Sequence, residues 1–303
     1  MAEQNNTGER VGFIGLGMMG HGMAKNIVEK GYPLTVMAHR NRAPVEDLVA
    51  RGATEAASPK DVGAASTVVF MCVTGSTQVE ALVRGPDGLK QGLKSGSVIV
   101  DCSTSDPNST MALAAELAPL GIDFVDAALS RTPKEAWEGQ LAAMVGASEA
   151  VFDRLKPLLD TWASSVVRIG GTGDGHRMKL INNFVSMGYA AIYSEALTLA
   201  EKVGISPERV DSVLRGGRMD CGFYQTFMRY TLEGDREAHK FTISNAFKDL
   251  RYLEAMADAA SMVNPIGNAI KNSFAVAVAA GAGEEFVPML ADHIRRLNGG
   301  PAK

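Results

Sequence analysis

Val11-Gly-Phe-Ile-Gly15-Leu-Gly17-Met18-Met19-Gly20-His-Gly-Met23-Ala24 joins a short apolar run to a glycine turn and then to a stretch of helical character. The glycines are spaced G-x-G-x-x-G, directly after a strand and directly before a helix. The first permits a tight turn and the second lets a pyrophosphate approach the backbone. The third lets helix and strand pack closely, with the N–H groups of the helix N-terminus facing the phosphates. In this context the motif reads as a dinucleotide cradle built from Gly15, Gly17, Met18, Met19 and Gly20.

Outward from that turn, buried-type runs alternate with helical stretches. Strands are expected at Val11–Ile14, Leu34–Met37, Thr67–Val73, Val98–Val100, Phe124–Ala127 and Leu141–Val145. Helices are expected at Gly22–Lys30, Pro44–Arg51, Thr77–Val83 and Ser109–Leu117. This alternation predicts an α/β domain of the Rossmann type, a doubly wound parallel sheet, over residues 1–170. A last strand, Val166–Ile169, leads into Gly173, and the pattern then turns wholly helical. Leu180, Phe184, Met187, Ala191, Ala196 and Leu199 recur at helical spacing, which predicts a long interdomain helix from Met178 to Val203, stopped by Gly204. Residues 171–303 therefore read as an all-α domain, with further helices at Ser206–Leu214, Phe227–Leu232, Ile243–Ala259 and Pro265–Val278 and a final one ending at Leu297.

A chain of 303 residues is long enough for two cores, and 46% apolar with 21% charged residues is a globular composition. A net charge of -4 with both signs scattered excludes a broad nucleic-acid footprint. Cys72, Cys102 and Cys221 lack metal-ligand spacing and read as free thiols in a reducing compartment. The five histidines form no ligand cluster, so no metal site is expected. The polar start, Met1 to Arg10, lacks an apolar signal segment, and no apolar run reaches the ~18 residues of a membrane span. The expected location is the cytoplasm.

The end of the second strand bears on the choice of nicotinamide cofactor. An NAD site places an acid there for the ribose 2′-hydroxyl, whereas this chain continues Ala38-His39-Arg40-Asn41-Arg42. With the acid missing and two guanidiniums available for a 2′-phosphate, His39, Arg40 and Arg42 predict NADP rather than NAD. Ligands of such sheets lie beyond the C-terminal strand ends, which here read Val73-Thr74, Asp101-Cys-Ser-Thr104 and Ser130-Arg131-Thr132. The last offers backbone N–H groups as an anion nest and a guanidinium for a carboxylate, sulfonate or phosphate.

Gly173-Asp-Gly-His-Arg-Met-Lys179-Leu-Ile-Asn182-Asn183 opens the long helix. Lys179 and Asn183 are four apart and leave one face of it. A lysine in a first turn is opposed by the helix dipole, which should lower its pKa and favour proton exchange near neutrality. An amide beside it suits a carbonyl or hydroxyl, and the pair suits hydride-transfer chemistry.

These motifs resemble the β-hydroxyacid dehydrogenases in order and spacing. The resemblance rests on Phe13–Gly20 with Met23-Ala24, Asp101–Thr104, Asp126-Ala-Ala-Leu-Ser130, Gly173–Asn183 and Phe247-Lys248-Asp249-Leu250, and it runs from about Arg10 to Leu297. It implies the 3-hydroxyisobutyrate and tartronate semialdehyde reductase type, with Lys179 as catalytic proton donor and acceptor and Asn183 orienting the substrate. It further implies that Ser130 and its neighbours bind the acid group, that Val73, Thr74 and Thr104 line the nicotinamide ribose side, and that Lys248 reaches the cofactor or active site. Pairing through the helical domain would give a homodimer or homotetramer. Family members usually read Ser-Gly-Gly where this chain has Ser130-Arg131-Thr132. The arginine is similar to the Gly-Arg-Thr of sulfolactaldehyde reductases, which implies a small anionic aldehyde or hydroxy acid carrying a carboxylate or a sulfonate. Two other readings stay open: an NADPH-dependent imine reductase, in which the helix lysine is usually missing, and a non-catalytic cofactor-binding scaffold.

Overall fold

Strands made of unbroken apolar runs must be covered on both faces, and the computed structural model, which describes residues 8–300, shows that arrangement. The sheet unit runs β1 (Val11–Ile14), α1 (Gly20–Glu29), β2 (Leu34–Val36), α2 (Ala43–Ala50), β3 (Thr54–Glu55), α3 (Pro59–Ala65), β4 (Val68–Met71), α4 (Ser76–Arg84) and α5 (Leu89–Gly92). It continues with β5 (Val98–Asp101), α6 (Pro107–Leu117), β6 (Asp123–Ser130), α7 (Pro133–Glu138), β7 (Leu141–Gly146), α8 (Glu149–Leu159) and β8 (Ala163–Gly170). The eight strands lie in the order β3-β2-β1-β4-β5-β6-β7-β8. Alternate residues of one strand serve two cores. Val68 and Phe70 pack with α1, α2 and α8 through Met23, Ile27, Leu48 and Leu155, whereas Val69 and Met71 pack with α3, α4 and α6 through Val62, Val83 and Leu113.

The sheet departs from the parallel expectation at one ladder. β6 and β7 are antiparallel, Asp126 opposite Gly146 and Ser130 opposite Ala142. Ten residues separate them, of which six form α7. So short a link re-enters the sheet at the end where β6 left it, while a parallel return needs a longer crossover.

The helical unit follows. α9 (Asp174–Lys202) is a continuous helix of 29 residues, ended by Gly204 at φ 80, where a left-handed residue stops a helix and glycine bears it without strain. It is followed by α10 (Pro207–Leu214), α11 (Gly222–Glu233), α12 (Ile243–Ala259), α13 (Pro265–Ala279) and α14 (Leu290–Leu297). Their core gathers Leu180, Met187 and Leu197 of α9 with Phe227, Leu250, Phe274 and Ile294. The two compact units meet in sequence within α9, one ending at Lys179 and the other beginning at Leu180. The helix starts four residues before the expected Met178, and bonds to the sheet hold this first turn.

Among the described residues no helix is long and apolar enough to cross a membrane, and no group of three or more His, Cys, Asp or Glu could hold a metal ion. The segment 1–7, which holds most of the polar start, lies outside the described residues.

Candidate active site

The three motif glycines stand in three different environments. Gly15 has φ 96, and a Cβ there would lie 2.2 Å from the carbonyl oxygen of Cys72. Gly20 packs its backbone on β1, with a Cβ falling 2.0 Å from the Gly15 oxygen and 2.9 Å from Phe13. A Cβ at Gly17 would meet nothing within 4 Å. The chain's own packing thus has no use for bare backbone at Gly17, whereas a pyrophosphate does. No side chain caps α1, and its first turn carries no acid, so its N-terminal N–H groups suit an anion. Met18 is exposed and Met19 half-buried beside them. Cys72, at the foot of the turn, is an unreactive thiol: burial, then the Asp101 charge, push its pKa up to about 12.

Beyond β2, His39, Arg40 and Arg42 are all exposed, but the two arginines differ. Arg42 donates two hydrogen bonds to Glu55, at the end of the neighbouring β3, at 3.0 and 3.1 Å, and Glu46 lies 3.6 Å away. These carboxylates raise the Arg42 pKa, Glu55 foremost. No ion pair engages Arg40 among the described residues.

The strand ends expected at the nicotinamide side are bonded to one another. Val73 N–H donates to Ser103 Oγ at 3.0 Å, and Ser103 N–H donates to Asp101 Oδ1 at 2.8 Å. Thr74 is exposed and Thr104 half-buried on the same two strand ends. At the end of β6, Ser130 is half-buried and Arg131 takes φ 84, a left-handed value rare outside glycine. Its guanidinium does not stand free: it donates to the Gln140 carbonyl and, at 2.9 Å, to Ser164 Oγ. Thr132 is engaged as well, since its N–H donates to Glu135 at 3.0 Å and its hydroxyl bonds the same carboxylate, making the capping box of α7.

Asp126 of β6, which had no assigned role, holds the start of α9. Its Oδ1 accepts the Gly173 N–H at 2.6 Å and its Oδ2 the His176 N–H at 2.7 Å. Burial raises its pKa, against the opposing pull of His176 and of these two bonds. Gly175 keeps the contact close, for a Cβ there would fall 2.4 Å from the Met144 carbonyl. One turn on, Lys179 is half-buried.

In the helical unit Asn183 is buried, and its Nδ2 donates to Asp249 Oδ2 of α12 at 2.6 Å. Lys248 Nζ lies 3.2 Å from Asp249 Oδ1 and 5.3 Å from the Tyr252 ring centre. The geometry at Oδ1 is that of an ion pair and not of a hydrogen bond, and this buried oxygen has no hydrogen-bonding partner among the described residues. Asp249 thus joins the two expected residues Asn183 and Lys248, although the sequence carries no signal for it beyond its place beside Lys248.

Comparison with known proteins agrees with this geometry. Residues 10–171 match the family model of the NAD binding domain of 6-phosphogluconate dehydrogenase, and residues 173–291 match that of the NAD-binding domain of NADP-dependent 3-hydroxyisobutyrate dehydrogenase. Over 206 residues, 68% of either chain, the protein is 39% identical to the 2-(hydroxymethyl)glutarate dehydrogenase of Eubacterium barkeri. Over 294 residues, 97% of this chain and 98% of the other, it is 30% identical to the 3-sulfolactaldehyde reductase of Escherichia coli K12. The crystal structure of a 3-hydroxyisobutyrate dehydrogenase from Salmonella typhimurium superposes with a TM-score of 0.81 at 29% identity, over 93% of this chain and 98% of that one. With both halves matched in order and the glycine turn and α9 in place, the chain belongs to the β-hydroxyacid dehydrogenases, a family of NAD(P)-dependent oxidoreductases.

Proposed function

We propose that the chain reduces an aldehyde or keto group that lies beside a carboxylate or sulfonate, with NADPH as reductant and Lys179 as the proton donor. The observation that carries this reading is one turn of α9. Lys179 and Asn183 leave the same face of an unbroken helix, and Asp249 holds the Asn183 amide through a 2.6 Å bond.

When bound, the nicotinamide supplies the hydride. Lys179 Nζ gives a proton to the carbonyl oxygen as negative charge develops there, and in the oxidative direction it takes the proton back. Asn183, with one amide hydrogen committed to Asp249, turns the rest of its amide to the substrate oxygen or a neighbouring hydroxyl. The Ser130–Thr132 turn and Arg131 receive the acid group, which places the carbonyl for reaction. For this, Arg131 exchanges its bonds to Gln140 and Ser164 for the substrate anion. Arg40 is the main cation for a 2′-phosphate, since Arg42 already serves Glu55. Thr104, Val73 and Thr74 line the ribose side, and Lys248 contributes from the helical unit.

We further propose a homo-oligomer in the cytoplasm, paired through α9. Ile181, Val185, Ile192 and Leu199 form a stripe along it, continued by Val203 just past its end, and are 46–63% exposed. Ile192 and Leu199 continue into a groove of about 790 Å³ with Val276 and Leu297.

The mechanism is tested by Lys179→Ala. Turnover should fall by about a thousandfold or more while NADPH binding is retained. Near-normal turnover would end this assignment. Initial rates of NADPH oxidation with 3-sulfolactaldehyde, succinic semialdehyde, glyoxylate and tartronate semialdehyde decide between sulfonate and carboxylate.

A further inference from the structure

His176 lies three residues before Lys179, and its side chain has no exposed surface. Its Nε2 is 3.1 Å from the carbonyl oxygen of Ser103, at the end of β5, and its Nδ1 is 2.8 Å from Thr110 Oγ1 of α6. A carbonyl can only accept, so Nε2 carries the proton, while Nδ1 shares the Thr110 hydroxyl with the Asp106 carbonyl, which lies 3.2 Å from the same oxygen. Asp101 Oδ2 stands 3.8 Å from Nε2 and already accepts the Ser105 hydroxyl at 2.7 Å. Each polar atom of the ring thus has a partner in a fully buried site, which fixes the ring in both rotation and depth.

The partners of the ring matter as much as its burial. Ser103 accepts from His176 through its carbonyl and from Val73 N–H through its hydroxyl. One run of hydrogen bonds therefore leads from the end of β4, through the end of β5, to the turn that carries Lys179. Asp126 holds the backbone of that turn through the Gly173 and His176 N–H groups. The imidazole adds side-chain bonds to the end of β5 and to α6, so the turn is held from a second direction.

We propose that His176 is a positioning residue that sets the rotation of the first turn of α9, and with it the placement of Lys179 against the ends of β4 and β5. The proposal rests on the reading of Lys179 as proton donor. It does not require His176 to touch substrate or cofactor.

The test compares His176→Gln, His176→Leu and Thr110→Val with Lys179→Ala, by kcat, KM, NADPH affinity from fluorescence and the pH profile of kcat. Glutamine keeps an N–H for Ser103 and an oxygen for Thr110; leucine keeps only bulk. For His176→Leu we expect kcat to fall about 10- to 100-fold, the size of a misplacement of about 1 Å. Substrate KM and NADPH affinity should stay within about threefold, and the limb of the pH profile that disappears in Lys179→Ala should shift. His176→Gln should restore the limb and most of kcat. The ionisable groups facing the ring from the sheet are Asp101 and Asp126, unchanged in every variant. Wild-type kcat and profile in His176→Leu overturn the proposal, and so do equal losses in both histidine variants with an unmoved limb. Where the leucine variant shows no cooperative melting, Thr110→Val decides: a shifted limb supports the proposal and an unmoved one overturns it. If Lys179→Ala turns over normally, the reading of Lys179 has failed. If it is inactive while His176→Leu is normal, only the positioning role falls.

Discussion

If the loop beyond β2 binds the 2′-phosphate as proposed, Glu55 decides how much cation it can offer. It engages Arg42 with two hydrogen bonds, and a guanidinium so satisfied has less to offer a phosphate. Arg40→Ala should therefore raise KM for NADPH about 10- to 100-fold and leave KM for NADH unchanged, as expected for losing a charge-assisted bond to the 2′-phosphate. Glu55→Ala should act in the opposite direction, lowering KM for NADPH a few-fold by releasing Arg42. If both substitutions leave the ratio of NADPH to NADH efficiency where it was, the cationic loop does not read the 2′-position. The sequence displayed both arginines and the missing acid at Ala38. It did not display Glu55, because β3 is two residues long and its partner lies thirteen positions away. The same limit hid the present bonds of Arg131 and the cap made by Asp126, whose partners lie far along the chain.

The legible elements are those whose own residues determine them. β1 and β4 carry no polar side chain, β5 is apolar up to Asp101 at its end, and the helical spacing of Ile243–Ala259 matches its helix at both ends. The unread ones are short: α3, α5 and α7 have four to seven residues and little periodicity. α8 carries Pro157 near its C-terminal end, a residue that ordinarily argues against a helix. Elements of this length depend on neighbours. α6 is tied to α4 and α5 by Glu116, which accepts from Arg84 at 2.7 Å and Lys90 at 2.8 Å. Lys90 first, then Arg84, hold its pKa below the ordinary value of 4.5. A depressed carboxyl contributes stability that is present above that ordinary value and fades as pH falls through the depressed one. Glu116→Gln should cost under about 1 kcal/mol at neutral pH, as surface pairs do. The difference in urea midpoint from wild type should vanish in acid. Asp126 has the opposite sign: its raised pKa means that its ionised form is the costly one, so its contribution is lost as pH rises.

Across the whole molecule, the long apolar stripe on α9 is the feature that a single chain leaves unsatisfied. A row of large exposed apolar side chains on one helix face from Ile181 to Val203 exceeds what isolated surface residues explain. Glu195 and Lys202 flank it on the same helix, and a twofold axis crossing between them would set each against the other's copy. Ile192→Glu with Leu199→Glu should shift size-exclusion elution to the monomer position. A wild-type chain already eluting as a monomer contradicts the pairing. Arg131 holds a left-handed backbone that costs a non-glycine residue about 1–2 kcal/mol, so Arg131→Gly should raise the melting temperature by a few degrees while eroding preference for the native anion. Selection for robustness alone would remove this arginine. If Arg131 receives the substrate anion as proposed, discrimination and durability oppose each other at this one position, and laboratory evolution toward heat tolerance should be screened for selectivity there first.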